Sequence, residues 1–252
     1  MNQLSSQELV QASQEITKFA KNGQFDYVYK KYSTVSHPEI HYNLGVQAYN
    51  LNHYSIAAQQ FLAGSKFGMS YPNNYYDGLL SNAVGQCFTL LLTYNFDLYG
   101  NSNTIAKMTL MAYVNLSKCI SVYGNKAYDS LRTRGRLLHE HNYATMATKA
   151  FEAFGIGEET RPVLISVDFR DAAKGYFMNG LQTISNKCLD ESDSLYFYFQ
   201  KLNGKCSRED FDELGHDLHK LYFETIEDSY KRQLITLTND ELDPVITNYV
   251  RL

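Results

Sequence analysis

Residues 39–68 read EIHYNLGVQAYNLNHYSIAAQQFLAGSKFG, and this stretch decides the fold. Apolar side chains at Ile40, Leu44, Ala48 and Leu51 are spaced by four, four and three. That spacing predicts one face of a helix opening at His37-Pro38-Glu39. Tyr54, Ala57, Phe61 and Gly64 follow at three, four and three, one face of a second helix that runs to about Phe67. Antiparallel helices approach closely where small residues meet, which gives Gly45 and Ala57 their purpose. Phe61 is then expected to fill the wedge towards the neighbouring hairpin.

The same face recurs on either side. Phe25, Val28, Tyr32 and Val35 keep the spacing, and so do Ala144, Ala147, Phe151 and Phe154. Gly135 precedes Ala147 by the twelve residues that separate Gly45 from Ala57. This pattern resembles the tetratricopeptide repeat: a Leu-Gly pair in a first helix, then a small residue, an aromatic and another small residue in a second. The unit from Glu39 to Gly68 has Leu44, Gly45, Ala57, Phe61 and Gly64. The unit from Asp129 to Gly155 has Gly135, Ala147 and Phe151, with Arg134 where Leu belongs and Phe154 at a small position. The unit from Leu9 to Val35 departs further, with Ile16 and Val28 at the small positions. The family's tryptophan is missing throughout, and the best unit has no closing proline. The resemblance implies an all-α, right-handed solenoid of helical hairpins over residues 1–157. A less regular helical segment, 158–252, is expected to pack on it.

Outside the repeat the helix signals are local. Ser5 with Glu8 is a capping box, followed by Leu9, Ala12, Ile16 and Phe19 on one face and a stop at Asn22-Gly23. Long helices are expected at about Tyr75–Phe96 and Thr104–Val122, and shorter ones at Lys126–His141 and Tyr143–Phe154. One helix is expected over Pro162–Cys188 and a short one over Leu195–Leu202. Ser207 with Asp210 caps a helix to about Leu234, and Thr238 with Glu241 opens a last one. Val163–Val167 could pass for a strand, but without a second strand it reads as helix.

Composition bounds the function. Of 252 residues, 44% are hydrophobic and 20% charged, which describes a folded globular chain and not a disordered one. The net charge of −4 gives nothing to favour nucleic acid or an anionic membrane. Acidic residues dominate from Asp190 to Asp243 and read as a solvated face. Cys87, Cys119, Cys188 and Cys206 are far apart, as expected of buried thiols in a reducing compartment. The start, Met-Asn-Gln-Leu-Ser-Ser-Gln-Glu, has neither the basic start nor the apolar run of a secretory signal, so a cytoplasmic protein is expected. Delivery by a specialised secretion machine would leave no mark in such a sequence.

The resemblance implies a non-enzymatic scaffold that holds a partner protein or peptide on a concave wall of first helices. Off the packing face of the best unit lie Tyr42, Asn43, Val46, Tyr49 and Asn50; the later unit offers Arg132, Arg136 and His139, with Glu140 beside them. Tyr gives area at low entropic cost, Asn pairs with backbone amides, and Arg forks onto a carboxylate. The family's carboxylate-clamp subtype does not fit, since Ser13 and Thr17 hold its first-unit positions.

No catalytic residue, metal or cofactor is expected, and no phosphate loop, His-Glu-x-x-His or nucleophile elbow occurs. His139-Glu140-His141 points in several directions. Asp212, Glu213, His216 and His219 share one helix surface, which motivates an alternative: a helical metal-dependent enzyme using Glu213 and His216. Against it, Phe211, Leu214, Leu218 and Leu221 are expected to form the buried stripe and turn His216 to solvent. Self-association through the Tyr-rich surfaces is a third reading.

Overall fold

A computed structural model describes residues 4–68, 75–95, 102–139, 157 and 159–231, and every regular element among them is helical. In chain order these are α1 (Ser6–Lys21), α2 (Phe25–Tyr32), α3 (Pro38–Asn50), α4 (Tyr54–Gly68), α5 (Tyr75–Asn95), α6 (Ser102–Tyr123), α7 (Tyr128–His139), α8 (Arg161–Met178), α9 (Gln182–Asn203) and α10 (Arg208–Lys231). A single 3₁₀ turn, Gly124–Lys126, leads into α7. The 143–154 helix, with Ala144, Ala147, Phe151 and Phe154, and the helix after Thr238 lie outside the described residues.

Local chemistry accounts for the helix ends. Ser5 and Glu8 form the reciprocal capping box. At α3 the His37 ring accepts from the Glu39 N–H at 3.2 Å, and Pro38 takes the first turn, where no N–H is needed. Three C-termini close alike: the N–H three residues past the last helical residue reaches a carbonyl five residues back. These bonds are Gln24 to Phe19, His53 to Ala48 and Leu181 to Tyr176, each 2.9 Å. The residue before each donor adopts positive φ: Gly23, Asn52 and Gly180. The third of these divides what the sequence predicts as one helix over Pro162–Cys188. The segment expected as a short helix over Leu195–Leu202 belongs to the 22-residue α9.

The chain forms two compact units, one holding α1–α5 and the other α6–α10. In the second unit α7 packs on α6 and α8.

In the first unit α1 packs on α2 and α3, α2 on α3, α3 on α4 and α5, and α4 on α5. Leu44, Ala48, Ala57, Ala58 and Phe61 are buried in the α3–α4 hairpin. The Phe61 ring lies over Gly45 within its own hairpin, where a Cβ on Gly45 would come 2.5 Å from it. Gly64 is the small residue at the meeting of three helices, its Cβ position 3.2 Å from His41 in α3 and 3.1 Å from Leu80 in α5. Leu51, expected on the buried stripe, instead caps α3 and is exposed.

In the second unit α8 is central, packed against α7, α9 and α10, and buried over most of its length from Pro162 to Tyr176. Ser166 and Ser192 hydrogen-bond at 2.9 Å between α8 and α9. Arg208 reaches Asp193 (2.8 Å), Asp212 (3.0 Å) and the Ser192 hydroxyl. Gly215 lets α10 lie against Val167 and the Val163 carbonyl. The buried face of α10 is consequently Phe211, Gly215, His219 and Tyr222. Leu214 and Leu221, predicted buried, are 43% and 57% exposed, so the stripe is turned by one residue. Among the described residues no helix is long and apolar enough to cross a membrane.

Candidate functional site

Two opposite faces of α7 build the polar features of the second unit. Gly135 faces inward and brings α7 close to α8, its Cβ position 3.2 Å from Asp168 Cβ. One residue earlier, Arg134 turns into the core and forks onto Asp168, with Nε on Oδ2 at 3.0 Å and Nη2 on Oδ1 at 2.7 Å. Its Nη1 donates to Ser117 Oγ at 2.7 Å, and its guanidinium lies over the Tyr113 ring. His219 completes the group: Nε2 is 2.9 Å from the Leu164 carbonyl and 3.1 Å from Asp168 Oδ1. A carbonyl only accepts, so Nε2 holds the proton and Nδ1 accepts from Tyr113 OH at 3.1 Å.

All five side chains, Arg134, Asp168, Ser117, Tyr113 and His219, are buried. Burial works against the charge of Asp168 and of Arg134, and each is the other's remedy. Against that desolvation, Arg134 and His219 hold the Asp168 pKa below the usual carboxylate value, and Asp168 keeps the Arg134 pKa raised. Burial, reinforced by the Arg134 charge, lowers the His219 pKa in spite of Asp168. A lowered folded value means that His219 protonates more readily when the chain is unfolded. Its contribution to stability is therefore present above about pH 6.5 and lost as pH falls below it. Thermal unfolding followed by tyrosine near-ultraviolet dichroism is expected to show a Tm that drops from about pH 7.5 to about pH 5.5. In His219→Gln that drop is smaller; an equal drop would remove His219 from the account.

Above this group lies a cleft of ≈190 Å³, also bordered by Asp171, His216 and Lys220. His216 does face solvent, its side chain 56% exposed and 3.6 Å from Asp171. Glu213 is exposed. Among the described residues no three His, Cys, Asp or Glu side chains are placed to hold a metal ion.

The outward face of α7 presents Arg132, Arg136 and His139 at spacings of four and three. All three border a second cleft, ≈230 Å³, with Phe169 of α8 and Lys187, Cys188 and Glu191 of α9. Both α7 and α9 pack on α8, which sets their side chains facing each other across Phe169. The Arg132 guanidinium rests 5.9 Å over the Tyr176 ring. His139 meets the Phe169 ring edge-on at 6.5 Å and stands 3.8 Å from Glu191. Burial raises the Cys188 thiol pKa despite Arg132 nearby, so this is a poor nucleophile at neutral pH.

The five groove residues expected on α3 belong to the first unit. Tyr42 packs against Phe61, ring centroids 5.8 Å apart, and Tyr49 meets Tyr54 edge-on at 5.4 Å. Asn43 donates to Ser13 Oγ at 2.8 Å, which ties α3 to α1. Val46 is half-buried and Asn50 exposed. The eight predicted residues thus fall on two surfaces, one in each unit. Arg134, Asp168, Tyr113, Lys187 and Glu191 are not among the site residues that the sequence leads one to expect. One signal was available: Asp168 interrupts the apolar run Val163–Phe169, and a lone carboxylate there calls for a buried cation. No family model, curated protein or solved structure matches this chain.

Proposed function

We propose that this protein is a non-enzymatic interaction scaffold, a tetratricopeptide-like stack of hairpins that binds a partner protein or peptide. The observation that carries this reading is the gathering of Arg132, Arg136 and His139 with Lys187 around one open cleft, with Phe169 as its buried apolar floor. Such a surface offers forked donors above a buried aromatic floor, and forked donors are a means by which proteins hold a polar chain. The order of packing in α1–α5 supports the same reading: each odd-numbered helix meets the next odd one and the even one between them, as stacked hairpins do. The polar groups of the buried Arg134–Asp168–His219 cluster are engaged with one another, which suits a fixed support better than a reacting centre.

The test uses the full chain as bait in its native cell. Substituting Tyr49→Ala together with Arg136→Ala is expected to reduce the recovery of a co-purifying partner by about tenfold or more. Undiminished recovery would rule out both surfaces as the binding face.

A further inference from the structure

We infer that the outward face of α10 docks a basic amphipathic helix of a partner protein. No residue of α10 borders the α7–α9 cleft, so the inference stands whether or not that cleft binds a chain.

Helix α10 has more apolar side chains than its packing face uses. Phe211, Gly215, His219 and Tyr222 face the core. Leu214, Leu218 and Leu221 follow one another at four and three, a second line roughly a quarter turn round the helix. Leu214 and Leu221 are exposed and Leu218 is half-buried, so the line presents about 10 Å of apolar surface over two turns. Leucines at i, i+4 and i+7 are the arrangement by which one helix receives the apolar face of another.

The charge beside this line selects the partner. Asp210, Glu213, Asp217 and Glu224 are all exposed, and the helical rotation sets them along one edge of the leucines. Among the described residues none of these four carboxylates stands in an ion pair. The nearby arginines are committed elsewhere: Arg208 to Asp193 and Asp212, and Arg170 to Asp212. Lys220 borders the acidic row and lines the cleft beside His216. On α10 four carboxylates thus stand against that one ammonium, an edge that attracts Lys and Arg and repels an acidic helix. The same charge disfavours a second copy as occupant. Two antiparallel α10 helices about a two-fold axis would set each acidic row against its own counterpart.

The probe is a fluorescein-labelled, alanine-based peptide of about 18 residues, with leucines at i, i+4 and i+7 and lysines on both flanks. It is titrated into the full chain and read by anisotropy. It is expected to bind at least about tenfold more tightly than a peptide of the same composition in scrambled order. The same margin is expected over a peptide with glutamate at each lysine. Leu214→Ser combined with Leu221→Ser, both at exposed positions, is expected to lose at least about tenfold in affinity with an unchanged Tm. Glu213→Lys combined with Asp217→Lys is expected to lose as much, and to bind the glutamate peptide more tightly than the native chain does.

Equal binding of the scrambled peptide overturns the inference, since net charge alone would then hold the probe. So does undiminished binding by either double variant. A chain that dimerises in sedimentation, and becomes monomeric with Leu214→Ser and Leu221→Ser, overturns it in favour of a second copy on this face.

Discussion

Asp168→Ala is expected to destabilise the protein by about 3–5 kcal/mol, with a fall in Tm on the order of 10 °C. The cost arises from what remains. Arg134 keeps its proton under all ordinary conditions, so loss of the carboxylate leaves a guanidinium enclosed in the core with Ser117 as its remaining hydrogen-bond partner in this cluster. Asp168→Asn, which preserves shape but not charge, is expected to recover only a minor part. Replacing both partners, as in Arg134→Met with Asp168→Leu, removes the stranded charge and is expected to restore most of the stability. His219 would still donate to the Leu164 carbonyl. A single substitution as mild as a surface change, within about 0.5 kcal/mol, would show that the pair does not hold α7 on α8.

Phe61→Ala is expected to cost a comparable 3–5 kcal/mol, for a different reason. The ring is 2% exposed and lies on Gly45, which has no side chain with which to close the resulting hole. Gly45→Ala alone forces a methyl into the ring and is expected to cost about 1–3 kcal/mol. Combined with Phe61→Ala, the same methyl enters vacated space, and its penalty is expected to vanish or reverse. Denaturant unfolding of the four proteins in this cycle gives the coupling directly, expected at about 1 kcal/mol or more. Additive effects would mean that ring and glycine do not share a contact.

The parts legible in the sequence were those set by neighbours along the chain. The α3–α4 hairpin, the capping box at Ser5 and the outward position of His216 follow from spacing and short-range hydrogen bonding. Asn22-Gly23 reads as a helix stop, and the same dipeptide at Asn179-Gly180 closes α8 with the same bonds. Surrounding helical periodicity masked the second instance. Leucine-rich spacing on α10 favours Leu214 and Leu221 as core, yet Gly215 and His219 hold that place. A glycine admits the backbone of α8, and a histidine becomes a core residue once a carbonyl, a carboxylate and a phenol surround it. Those partners come from α6 and α8, remote in sequence, and no local pattern encodes them. The cleft was half legible: Arg132, Arg136 and His139 could be read from α7, but Lys187 and Glu191 arrive with the helix that packs opposite.

Arg132, Arg134 and Arg136 alternate across α7, and the inward member is bolted to Asp168. This fastening fixes how α7 lies on α8, while the outward pair stands one helical turn apart by its spacing on α7. On the scaffold reading proposed above, an incoming chain would have little backbone to reorganise, and rigid-body docking is the mode that reading predicts. On that same proposal, differences between bound sequences would show in residence time more than in the rate of capture.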